Sequence, residues 1–86
     1  MRTTMTDNPA EVYSLARELI AACEASGHND VAKQIDEALH AGSSALEILG
    51  AIRTAFIDHR AVLNLFVDSG QLDSAIAFVD AAFGRG

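Results

Sequence analysis

Asp36 and His40 stand four residues apart. On a helix that spacing places a carboxylate and an imidazole on one face, one turn apart, where two ligands of a divalent metal could sit. A metal site needs a third donor, and the sequence does not supply one: His28 falls in a turn and His59 on another helix. No metal and no cofactor are expected. Nucleophilic catalysis needs a thiol or hydroxyl with a base in reach. Cys23 lies among apolar helical residues and reads as a small buried hydrophobe in a chain with no second cysteine to pair with. Ser43 and Ser44 sit where a helix should start, and Ser26-Gly27 and Ser69-Gly70 sit where helices should stop. There is no glycine-rich phosphate loop and no dinucleotide fingerprint. Catalysis is not expected.

Binding has better grounds. Tyr13, Arg17 and Ile20 run at helical spacing along one flank of the first helix, outside its main apolar stripe. Tyr and Arg are the residue types that protein interfaces favour. Phe78, with Ala75 and Ala82, makes a second flank beside the stripe of the last helix. If the remaining helices do not cover that flank, it seeks another chain, and a homodimer through the C-terminal hairpin is the form expected. Tyr13, Arg17, Ile20 and Phe78 are therefore the candidate protein-binding residues.

The bulk composition narrows the partner. The 86 residues carry twelve acidic and six basic side chains, a net charge of −6. The basic residues are scattered singly, whereas nucleic acids and anionic membranes attract clusters of Lys and Arg. Neither is expected as a partner. An acidic surface suits a basic protein, or serves solubility alone. No apolar run approaches the ~20 residues of a membrane span. Met1-Arg2-Thr3-Thr4-Met5-Thr6 lacks an apolar signal region, so a cytoplasmic, reducing setting is expected.

Four or five helices must position these residues within one domain. Half the chain is apolar, much of it Ala, and the single Pro lies near the start. Residues 1–7 read as a flexible leader. Asn8-Pro9-Ala10-Glu11 is a helix start, with Asn8 as N-cap. The first helix then carries Val12, Leu15, Ala16, Leu19 and Cys23 to about Ala25, and Gly27 stops it. Asn29 or Asp30 caps the second helix, whose buried face is Val31, Ile35, Ala38 and Leu39. Ser44-Ala45-Leu46-Glu47 is a capping box ahead of Leu46, Leu49, Ile52 and Phe56. No Pro or Gly interrupts residues 51–69, yet one continuous helix would put His59 on the apolar face and Leu65 on the polar one. That conflict predicts a break near 57–61, followed by a stripe of Val62, Leu63, Phe66 and Val67. The last helix spans about Leu72 to Phe83 with Leu72, Ile76, Val79 and Phe83 inward, and 84–86 form a tail.

One phrase occurs twice. Ser26-Gly27-His28-Asn29-Asp30-Val31-Ala32 returns 43 residues later as Ser69-Gly70-Gln71-Leu72-Asp73-Ser74-Ala75. At this offset Tyr13 falls on Phe56, Arg17 on Arg60 and Cys23 on Phe66. The pattern predicts two antiparallel helical hairpins. Gly70 through Ile76, followed by Phe78 and Ala81, resembles the turn and second helix of a tetratricopeptide repeat, in which Gly ends one helix and a small Ala five residues on lets the next approach. Gly27 through Ala32 has the same spacing. The repeat length of ~34 residues in that family differs from 43, so the resemblance implies the hairpin geometry alone. A second resemblance, carried by residues 36–44 leading into 47–53, is to short bacterial all-α proteins, and it implies no activity.

The expected fold is a small all-α domain of two hairpins, and the expected function is a non-catalytic protein-interaction module. The alternative is a small acidic immunity or antitoxin protein that inhibits a basic toxin domain. Length, acidity and helix content suit it, although the acidic-aromatic motif of the immunity proteins to colicin nucleases is missing.

Overall fold

The computed structural model describes residues 8–84, and all regular structure within them is helical. Five helices follow one another: α1 (Pro9–Ala25), α2 (Asn29–Leu39), α3 (Ala45–Asp58), α4 (Arg60–Leu63) and α5 (Ser69–Gly84). α1 packs on α2, α2 on α3, and α3 on α5. Gln34 on α2 meets His59 at the end of α3. Arg53 and Arg60 meet Asp80 and Asp73 on α5 in reversed order, which makes α3 and α5 antiparallel. The protein is thus a small all-α domain of two hairpins, with α4 turning the corner of the second. The predicted leader and residues 85–86 of the predicted tail lie outside the described residues, and Gly84 closes α5.

The core collects the apolar stripes. All five stripe residues named for α1 are buried, and the most enclosed large side chains are Phe56, Leu19, Ile35, Ile52, Leu63 and Leu72. The described residues bury no polar or charged side chain, so packing of apolar surface, at about 25 cal/mol per Å² removed from water, carries the stability. Leu46 and Phe83 depart from expectation and stay about half exposed. Each sits in a terminal turn, Leu46 in the first of α3 and Phe83 in the last of α5.

The first turn forms as the sequence requires. Asn8 caps α1 by accepting the Glu11 amide, 3.2 Å away. At the other end Gly27 takes φ +85°. The His28 amide then reaches the Cys23 carbonyl at 2.8 Å, and the Gly27 amide reaches that of Glu24 at 3.3 Å. These two bonds make a Schellman closure, which only a residue tolerant of positive φ permits cheaply. The α2 start differs from expectation. Asn29 and Asp30 are already inside the helix, and His28 holds the cap position without a side-chain bond. Asp30 still places its charge against the positive end of the helix dipole.

The second copy of the repeated phrase behaves differently. Ser69 and Gly70 do not stop a helix; they open α5. Gly70 has no positive φ. The Asp68 carbonyl accepts the amides of Gln71 and Leu72, both at 3.1 Å, and so starts the helix there. Asp73 lies one turn inside α5, where it pairs with Arg60. The difference comes from the preceding residue: Ala25 continues a helix, whereas Asp68 favours a helix start. The expected apolar stripe at 62–67 is correspondingly shortened. α4 ends at Leu63, and Phe66 and Val67 lie in the turns that follow.

The break at the end of α3 falls at His59, inside the predicted interval. Its ring nitrogen Nε2 lies 2.7 Å from Gln34 Oε1, so the misfit residue is taken off the apolar face and tied to α2. At the start of α3, Ser44 accepts the Glu47 amide at 3.2 Å. Glu47 reaches one residue further back than a standard capping box and takes the Ser43 amide at 2.9 Å.

Candidate functional site

The α1 flank lines a cleft that the packing of α1, α2 and α3 forms. Tyr13 and Ile20 are half-buried and pack against the core, while Arg17 between them is exposed. Together they form one wall of a cleft of about 470 Å³. α2 supplies the opposite wall through Asp36, Leu39 and His40, and Ile48 of α3 closes one side. The α1–α2 hairpin creates this concavity because its core stripes draw the two helices together on one side. Half-buried Tyr13, Ile20 and Leu39 and exposed Arg17, Asp36 and His40 are left along the shared edge.

The chemistry of the cleft is mixed. Ile20, Leu39 and Ile48 give apolar surface that stays partly open to solvent. Tyr13 brings a phenol. Arg17 makes no hydrogen bond or ion pair with any of the described residues. The other arginines described, Arg53 and Arg60, are each paired with an aspartate on α5. His40 Nδ1 lies 2.9 Å from the Asp36 backbone carbonyl, so this nitrogen carries the proton and donates it. The His40–Asp36 relation that suggested a metal pair is thus a backbone hydrogen bond at the end of a helix. Among the described residues no three of His, Cys, Asp and Glu come together as a metal cluster.

The structure separates Phe78 from this cleft. Phe78 lies on α5, half-buried against the core. Of its flank, Ala75 is fully buried and Ala82 half-buried, so less apolar surface is left there than the sequence pattern implies. Cys23 is fully buried, and burial pushes its thiol pKa up. Burial thus lowers the fraction of thiolate, the reactive form of the group.

The α1 wall is legible in the sequence; its apolar partners across the cleft are not. Leu39 reads as part of the α2 core, and Ile48 belongs to no stripe. The signal for Ile48 is its position off the Leu49–Ile52–Phe56 stripe: an Ile there exceeds what the α3 core face needs. Comparison with family models, curated proteins and solved structures finds no match.

No helix of the described residues is long and apolar enough to cross a membrane. The acidic side chains are spread over all the longer helices, and those of Asp73 and Asp80 are engaged by arginines.

Proposed function

We propose that the protein is a non-catalytic protein-interaction module whose partner docks at the cleft between α1 and α2. The observation that carries this reading is the convergence of Tyr13, Arg17 and Ile20 with Leu39 and Ile48 on one concavity. An aromatic and an arginine beside open aliphatic surface form the combination from which interface hot spots are built. The cleft volume of about 470 Å³ lies within the about 300–1,000 Å³ of pockets that enclose a small ligand. Such a cleft takes one projecting side chain and its flanks rather than a whole helix.

A photo-crosslinker tests this. Glu24 is exposed and lies one turn beyond Ile20 on the same flank of α1. p-Benzoylphenylalanine placed at position 24 gives a discrete protein adduct in the source cells, and the same group at position 81, on the exposed side of α5, does not. An adduct of twice the chain mass identifies the partner as a second copy, the homodimer. Equal labelling from both positions, or none from either, contradicts the reading.

A further inference from the structure

We infer that the α1–α2 cleft recognises the free C-terminus of a partner polypeptide that ends in an apolar residue. This rests on the cleft being the protein-docking site and goes on to name what it grips. Three complementarities support it. Arg17 is a cation without a carboxylate among the described residues, in a protein whose other described arginines are both paired. A terminal carboxylate supplies the missing partner, and Tyr13 adds a hydroxyl donor in the same wall.

Ile20, Leu39 and Ile48 offer apolar surface inside the same cleft, which suits the side chain attached to that carboxylate. Asp36 stands in the opposite wall with its carboxylate unpaired among the described residues. It repels a ligand that is acidic throughout, but accepts the amide N–H that the last peptide unit carries. Carboxylate, apolar side chain and amide donor occur together, within a few bonds of one another, at a polypeptide C-terminus. The size of the cleft fits one or two residues, and capture of a chain end is a recurring mode of peptide recognition.

The probe is the unlabelled pentapeptide Gly-Ser-Gly-Ser-Leu, used as the free acid and as the C-terminal amide. Each is titrated into the isotope-labelled full chain and followed by amide chemical shifts. The acid shifts the signals of Arg17, Leu39 and His40 and binds about tenfold or more tightly than the amide. Arg17→Gln abolishes that preference while far-UV circular dichroism stays unchanged; Arg17→Lys keeps part of it. Equal affinity of acid and amide overturns the inference. So does a preference that survives Arg17→Gln, or the absence of shifts with the acid at millimolar concentration. If these tests fail while the adduct from position 24 persists, the docking site stands and the C-terminal ligand does not. Loss of both overturns both.

Discussion

Gly27 and Gly70 occupy the same place in the repeated phrase, but their backbones demand opposite things of a side chain. At Gly27 a Cβ has open space, but φ of +85° opposes it. Gly27→Ala therefore destabilises the protein by about 1 kcal/mol. At Gly70 a Cβ meets nothing within 4 Å, and the residue lies in the first turn of α5. Gly70→Ala is neutral or stabilising by up to about 1 kcal/mol. Urea denaturation of the two variants checks the pair, and equal effects would contradict the asymmetry of the two copies. The sequence made the Gly27 turn legible because an apolar helix ran directly into it. It obscured the second copy because Ser-Gly is tolerated at both ends of a helix, and the deciding residue, Asp68, lies just outside the repeated phrase. Asp68 with Gln71 three residues on has the spacing of a helix start.

Cys23 carries a pH dependence at the same scale. Its folded pKa is raised by burial, while the unfolded thiol titrates at about 8.5. Below that value both states hold the proton and the thiol contributes no slope. Above it the unfolded chain releases the proton and the folded one retains it, so stability falls as pH rises from about 8.5 towards the raised folded value. Urea melts at stepped pH show this fall in the wild-type chain and a shallower one in Cys23→Ala. A disulfide reagent modifies the native thiol only as fast as the protein opens.

Among the helices, α3 is fixed by a capped start and by its contact with α5. Ser44→Ala removes the hydroxyl that caps the Glu47 amide and costs about 1 kcal/mol, read as a lower thermal midpoint. Gly50 lies inside α3 beneath the Phe83 ring, whose nearest atom would be 3.0 Å from an added Cβ. Phe83 is about half exposed in the last turn of α5, so its ring can swing aside. Gly50→Ala is accordingly neutral or stabilising by up to about 1 kcal/mol through helix propensity. A loss of several kcal/mol would show that Phe83 is locked in place. The break at His59 was legible because a continuous helix misplaced two side chains. Its tether to Gln34 was not, since a contact between helices 25 residues apart leaves no local pattern.

At the scale of the whole molecule, the helices form a slab of 37 × 35 × 18 Å with a radius of gyration of 12.1 Å, close to the ~12 Å expected of a compact chain of this length. The two ion pairs both join α5 to the α3–α4 arm and are substantially exposed. Each contributes about 0–1 kcal/mol, and salt screens them. The α1 wall of the cleft was legible as a flank off the core stripe. The α2 and α3 walls emerge only when the hairpins pack, because Leu39 reads as α2 core in the sequence and Ile48, off the α3 stripe, has no local pattern to say what it faces.

Whether the α1–α2 cleft is the docking surface is decided by a competition experiment. The chain carrying the photo-crosslinker at position 24 is irradiated in source-cell extract with an excess of unmodified chain or of its Arg17→Ala variant. Arg17 is exposed and unpaired among the described residues, so its truncation leaves the thermal midpoint nearly unchanged. The unmodified chain suppresses the adduct, and the Arg17→Ala chain, though equally folded, does not. Equal suppression by both would place the docking surface elsewhere.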